Sequence, residues 1–180
     1  MEYRKNDIVT LEIVDCGTDG EGIGKADGFT VFVKDAVIGD TVTAKIMKAK
    51  KNYGYGRLME ILKPSPYRVD PICPSARQCG GCQLQAVSYE EQKAFKEKKL
   101  RGHLERIGGF KELPMEPLIG MDEPYHYRNK AQFPVGRNKE GRIVTGFYAG
   151  RTHAIIENRD CALGIPQNKE VLDRVIAHME

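Results

Sequence analysis

The sequence predicts a mixed architecture: an antiparallel OB-like β-barrel over residues 1–65, followed by an α+β domain over residues 66–180. Three observations predict it. Residues 7–62 alternate apolar and polar side chains with period two in short runs, a proline-rich stretch follows, and helical and strand patterns then mix. At 180 residues, 41% hydrophobic and 29% charged, the chain can bury one moderate core or two small ones, and its composition is not that of a disordered tail.

The barrel strands come first. Val9, Leu11 and Ile13 alternate with Thr10 and Glu12, then come Val31 and Val33, then Val42, Ala44 and Ile46, and a last run near Arg57 to Leu62. Turn signals separate them, "GTDGEGIGKADG" and "VIGDT". Gly20, Gly22 and Gly24 spell G-x-G-x-G, the letters of a nucleotide-binding turn. Such a turn must open a helix. Here the strand-like "FTVFV" follows within five residues, so a hairpin using glycines at positive φ is expected.

Pro64, Pro66, Pro71 and Pro74 break helix and central strand alike, so "LKPSPYRVDPICP" reads as a semi-rigid linker. Beyond it, Ser88 and Glu91 form a capping box for a helix with Tyr89, Leu100, Leu104 and Ile107 on one face, stopped by Gly108 and Gly109. A packed amphipathic helix is expected. "YRNKAQFPVG" and "RIVTGFYAG" read as paired strands around "RNKEG", with a further strand near "HAIIEN" and a final helix from Pro166 bearing Val171, Leu172, Val175 and Ile176.

Charge is informative locally. The net value is only +3, yet residues 45–68 hold Lys45, Lys48, Lys50, Lys51, Arg57, Lys63 and Arg68 against Glu60 alone. Tyr53, Tyr55 and Tyr67 interleave with these cations, a mixture that tracks a phosphate backbone and offers faces to bases. The bland alternative is a strand edge guarded by lysine. In the second domain Arg128, Lys130 and Arg151 are candidates for phosphate or base-edge contacts, with ordinary solvated strand charges as the alternative. The four histidines share no ligand spacing with the cysteines; His126 and His153 lie near these strands.

The N-terminus "MEYRKNDIVT" has neither a signal-peptide core nor an amphipathic presequence, and no window approaches the roughly 18 apolar residues that cross a bilayer. A soluble, cytoplasmic, monomeric protein without a membrane partner is expected. In that compartment five cysteines, three of them in "CPSARQCGGCQLQ", read as a metal site or reactive thiols. Cys73, Cys79 and Cys82 form C-x5-C-x2-C, one residue longer in its first gap than plant-type ferredoxin spacing. Cys161 is the plausible fourth ligand, because Cys16 lies in the barrel, where a small structural thiol is the expectation. The spacing favours an iron–sulfur cluster over zinc, and zinc over unligated thiols. Gly80 and Gly81 are expected to let backbone N–H groups turn toward the sulfurs.

The barrel, the cysteine run, "SYEEQKAFKEKKL", "YRNKAQFPVG", "GFYAGRTH" and "DCALG" together resemble the N-terminal portion of the bacterial RNA (uracil-5-)-methyltransferases, chiefly those acting on 23S ribosomal RNA. The resemblance covers nearly the whole chain. It implies that the barrel is a TRAM domain that binds RNA, and that Cys73, Cys79, Cys82 and Cys161 hold a 4Fe-4S cluster. It further implies that the central domain helps to place the target uridine. Ribosomal RNA is the implied partner, transfer RNA the alternative. Those enzymes continue into a C-terminal S-adenosylmethionine domain carrying the cysteine nucleophile and the base, none of which is visible in these 180 residues. S-adenosylmethionine is thus expected only in the full-length enzyme. The chain is expected to be a truncated or fragmentary piece, inactive alone, with its RNA contacts at Lys45, Lys48, Lys50, Lys51, Arg57, Arg128, Lys130 and Arg151. A stand-alone RNA-binding protein with a structural metal site is the second reading, and an electron-transfer protein, which would have little need of a basic barrel, the third.

Overall fold

The computed structural model describes residues 3–150 and 152–180. Five strands close a barrel: β1 (Ile8–Cys16), β2 (Gly22–Ala26), β3 (Phe29–Lys34), β4 (Thr41–Ala49) and β5 (Tyr53–Lys63), in the order β1-β2-β3-β5-β4 and back to β1. The alternation decides what enters the barrel. Val9, Leu11, Ile13, Val31, Val33, Val42, Ala44 and Ile46 form one buried cluster with Phe29, while the residues between them face outward.

The barrel is mixed rather than wholly antiparallel. β3 pairs with β5 in parallel, and the other four pairs are antiparallel. The reason is counting: around a closed ring of five strands, directions cannot alternate all the way, so one seam must join two strands of the same sense. β5 also begins at Tyr53, four residues before the predicted run near Arg57. Gly54 and Gly56 mask the strand in sequence, since glycine is depleted from strands. Here they face inward beneath Phe29, Val31 and Ala44, and Tyr53, Tyr55 and Arg57 face outward.

The glycine triplet belongs to a hairpin, but the stretch read as its turn contains strand β2, which corrects the expectation that its glycines sit at positive φ. Only Gly20 has positive φ, at 82°. Gly22 and Gly24 instead lie within β2, where a Cβ on Gly24 would overlap the Glu12 carbonyl oxygen and press on the Leu11 side chain. Gly24→Ala is therefore expected to destabilise the barrel by about 1–3 kcal/mol, the usual range for overpacking, as measured by thermal unfolding. An unchanged melting temperature would show that the β1–β2 pair can spread at no cost.

The proline-rich stretch, expected to be a semi-rigid linker, belongs to the barrel unit as far as Asp70. Ser65, Arg68 and their neighbours are bonded to the barrel, and one compact unit comprises Met1–Asp70 together with Gln83–Ser88. Asp40, fully buried, accepts from Ser65 N at 2.8 Å, from Val37 N at 2.7 Å and from Arg68 Nε at 3.0 Å, and pairs with Arg68 Nη2 at 2.5 Å. Val69 N donates to Ala86 O and Ser88 N to Tyr67 O, which pins residues 67–69 to residues 86–88.

The second unit comprises Pro71–Cys82 and Tyr89–Glu180. It holds helix α1 (Tyr89–Arg106), a sheet of β6 (Val135–Arg137), β7 (Ile143–Tyr148) and β8 (Ile155–Glu157) in that order, and helix α2 (Gln167–Met179). Ile143, Val144, Ala162 and Ile176 are buried, with Thr145 Oγ1 donating to Pro134 O at 3.0 Å. The expected packed helix is corrected at α1, which has no buried residue; Leu100 is 53% and Ile107 82% exposed. Lys93, Lys96 and Glu97 interrupt its apolar stripe. Hydrogen bonds hold it instead: Met121 N donates to Tyr89 Oη at 2.8 Å, and Leu118 N to the Glu97 carboxylate. Gly109, at φ 72°, ends it as predicted.

Candidate nucleic-acid interface and cysteine loop

Register assembles the barrel face. On the outer surface Lys45 of β4 stands opposite Arg57 of β5, and Arg57 stands opposite Lys34 of β3, so three cations form a row across three strands. Like charges directly opposite each other are destabilising in isolation. Such a row favours an anion along it. In the next row Lys48 stands opposite Tyr55, and Tyr55 opposite Phe32.

Phe32, Tyr53 and Tyr55 form a cluster beside the cations. Their ring centroids lie 5.6–5.9 Å apart, with Tyr53 edge-on to both of the others. Tyr53 is 38% and Tyr55 37% exposed, which leaves ring surface for a stacked base.

The structure brings Lys45, Lys48 and Arg57 onto this face, and places Lys50 and Lys51 between β4 and β5, where Lys50 N donates to Tyr53 O. It withdraws Arg68, whose guanidinium is committed to Asp40 and to Asp35 O. Lys63 stands at the other end of β5, opposite Thr41. Sequence reasoning missed Phe32 and Lys34. Their signal was present, since both occupy outward positions of "FTVFVK", but only the β3–β5 seam places them beside Tyr55 and Arg57.

In the second unit Arg128 is exposed; its Nε donates to Lys130 O at 3.3 Å and its backbone N to Leu163 O at 2.7 Å. Lys130 is exposed too, and Arg151 lies outside the described residues. His126 Nδ1 is 3.0 Å from Gly164 O, and His153 packs on Tyr148.

Two segments of the second unit meet the cysteine loop. Cys79 forms a β-bridge with Ala149, Gly80 N donates to Tyr148 O at 3.0 Å, and Asn158 Nδ2 points at Cys73 Sγ at 3.6 Å. Gly81 N donates to Cys79 Sγ at 3.4 Å, so the expected glycine N–H reaches sulfur at Gly81 and a carbonyl at Gly80. Cys73 and Cys79 are buried, Cys82 and Cys161 half-buried, and no disulfide links the cysteines among the described residues. Cys16 closes β1 in the other unit, its Sγ 3.5 Å from Gly17 O.

Among the described residues no group of three or more His, Cys, Asp or Glu stands close enough to hold a metal ion. The donor set nevertheless has features suited to an electron-rich sulfur site. Soft thiols all belong to one unit, two of their sulfurs already face N–H donors, and Arg159 Nε and Asn168 Nδ2 are buried without a hydrogen-bond acceptor on either side of Cys161 in sequence. Asn168 Nδ2 and Cys161 Cβ both lie within 4 Å of the position that a Cβ on Gly164 would occupy.

The family model of the TRAM domain matches residues 4–59, so the barrel is a TRAM domain. The chain is 44% identical over 172 residues to a protein of Halalkalibacterium halodurans named an uncharacterized RNA methyltransferase, covering 96% of this chain and 37% of that protein. It is likewise 44% identical over 176 residues to an uncharacterized RNA methyltransferase of Clostridium tetani, covering 98% and 37%. This chain therefore spans little more than a third of the length of these relatives. Among solved structures it is similar to the tRNA (uracil-54, C5)-methyltransferase of Pyrococcus abyssi in complex with S-adenosyl-L-homocysteine. The TM-score is 0.57 and the identity 24%, over 92% of this chain and 35% of that one; the likeness is one of fold.

Proposed function

We propose that these 180 residues are the RNA-recognising part of an S-adenosylmethionine-dependent RNA (uracil-5-)-methyltransferase acting on 23S ribosomal RNA. The observation that carries the RNA reading is the register of the barrel, which sets Lys45 opposite Arg57 beside the Phe32, Tyr53 and Tyr55 cluster. Cations there neutralise phosphates while the tyrosine faces take unpaired bases. The methyltransferase reading is supported by identity along nearly the whole chain to proteins named RNA methyltransferases. The ribosomal target rests on the resemblance carried by the cysteine motif. Transfer RNA is the second reading, favoured by the substrate in the name of the Pyrococcus abyssi enzyme.

A 4Fe-4S cluster on Cys73, Cys79, Cys82 and Cys161 is part of the proposal, and its formation requires these thiols to come closer together than they stand. When bound, the cluster supplies a cross-link between those two segments, and S-adenosylmethionine supplies the methyl group. Asn158 and Gly81 offer N–H groups to the sulfurs of Cys73 and Cys79. Arg128, Lys130 and Arg151 are assigned to phosphate or base-edge contacts in the second unit. The proposal places the protein in the cytoplasm, where thiols stay reduced. No helix among the described residues is long and apolar enough to cross a membrane.

The direct test is RNA affinity against salt. For the triple variant Lys45→Ala, Lys48→Ala, Arg57→Ala, the slope of log affinity against log salt should become shallower by about 2, three phosphate contacts at roughly 0.7 each for a single strand. An unchanged slope would make the row a solvated face. These 180 residues are also expected to transfer no methyl group to RNA by themselves, because the proposal assigns donor binding to the part of the relatives they do not span. Methyl incorporation from labelled donor by this chain alone would overturn that assignment.

A further inference from the structure

We infer that a cleft beside the cysteine loop is a pocket for one unpaired base of the bound RNA. It has a volume of about 410 Å³ and is lined by Gly80, Tyr148, Ala149, Gly150, Thr152 and His153. That size lies at the small end of ligand pockets and suits a single nucleoside.

The lining has the chemistry of a base reader. Tyr148 and His153 meet at 83° with centroids 5.4 Å apart, which makes a corner of one aromatic face and one edge. A planar heterocycle stacks on the face of one ring while its rim reaches the other. Tyr148 is 45% exposed, so its ring surface is open to a ligand.

The imidazole carries one donor and one acceptor in its neutral form, the complement needed at a base edge. Thr152 is held in place, its Oγ1 accepting from Ala154 N at 3.2 Å and its N donating to Ala149 O at 3.1 Å. Gly80 and Gly150 add bare backbone to the lining. Gly80 and Gly150 lie so close that a Cβ on Gly80 would sit 3.1 Å from Gly150 Cα, while a Cβ on Gly150 would meet nothing within 4 Å. A flat ring can slide along such a wall.

Backbone pairing sets the corner. Gly80 N donates to Tyr148 O and Cys79 bridges Ala149, so the segment that carries the tyrosine is pinned to the cysteine loop. Stacked bases are read one at a time on aromatic faces in single-stranded recognition, and this corner holds one.

The inference rests on the RNA reading above, and the test separates the two. The 180-residue chain is titrated with a short single-stranded RNA carrying one fluorescent purine analogue, moved along the strand in successive oligonucleotides. At one position the analogue should be quenched on binding. Tyr148→Leu should abolish that quench and weaken binding about tenfold, the loss expected for one stacked base. Tyr148→Phe should keep both, which guards against a folding defect. The barrel triple variant should lose affinity yet still quench at saturation.

If Tyr148→Leu and His153→Ala bind and quench like the parent while the barrel variant is weakened, the pocket is wrong and the RNA reading stands. If the parent binds no RNA, both fall. Saturation of the cleft by a free nucleoside monophosphate, at concentrations that leave RNA binding untouched, would overturn the assignment to a base of RNA.

Discussion

Asp40→Ala is expected to destabilise the barrel unit by about 3–5 kcal/mol, the cost of leaving one partner of a buried ion pair alone. The melting temperature should fall by about 10 °C or more, given the 4–8 °C per kcal/mol typical of a domain this small. Asp40 is fully buried and satisfies two backbone N–H groups and the Arg68 guanidinium at once. Alanine would leave Ser65 N, Val37 N and Arg68 Nε without this acceptor, and Arg68 Nη2 with Asp35 O alone. It would also remove the bonds that tie Ser65 and Arg68 to the barrel from 25 and 28 positions away. Asp40→Asn keeps the shape but turns an N–H toward existing donors, so a loss of similar sign and smaller size is expected.

The same carboxylate sets an acid limit. Burial alone would raise its pKa, but the hydrogen bond from Arg68 and those from Ser65 and Val37 outweigh it and hold the group below the ordinary carboxylate range. A lowered folded pKa means that the unfolded chain binds the extra proton first. The contribution is complete above the ordinary carboxylate pKa and is lost as pH falls through the depressed folded value. Asp40→Asn should therefore flatten the acid side of the stability curve as well as lower its plateau. Equal stabilities of parent and variant at neutral pH, or parallel acid limbs, would refute the account.

Anaerobic reconstitution with iron and sulfide is expected to give a brown protein with about four irons per chain and broad thiolate-to-iron absorption. Cys161→Ser should lose most of that iron and lower the melting of the second unit, because metal binding energy is partly folding energy. Asn158→Ala should retain iron and shift the reduction potential downward, since its Nδ2 points at the sulfur of Cys73. Stoichiometric zinc with no iron after reconstitution would overturn the cluster. Unchanged iron and melting in Cys161→Ser would mean that the fourth ligand lies elsewhere.

The barrel was legible in the chain wherever a strand alternates cleanly, because period two alone decides which side chains enter the core. Val9 to Ile13, Val31 to Val33 and Val42 to Ile46 all obey it. β5 was legible only from Arg57 onward, since Gly54 and Gly56 mimic a turn until Phe29 and Val31 are seen to need the space. Helix α1 reads as amphipathic in outline and buries nothing, because three charged residues interrupt its stripe. The cysteine spacing is a property of the sequence, whereas the approach of Asn158 to Cys73 joins positions 85 residues apart.

Sequence by itself determined the strand faces, the basic and aromatic composition of residues 45–57 and the thiol inventory, all of which are local properties of order and spacing. Tertiary structure alone decided which strand lies beside which. An odd ring must contain one parallel seam, and the seam between β3 and β5 brings Lys34 and Phe32 to Arg57 and Tyr55. It also decided that Arg68 serves Asp40 rather than a phosphate. A buried carboxylate without a cation is too costly to leave unpaired, and no local pattern tells which distant arginine will answer it.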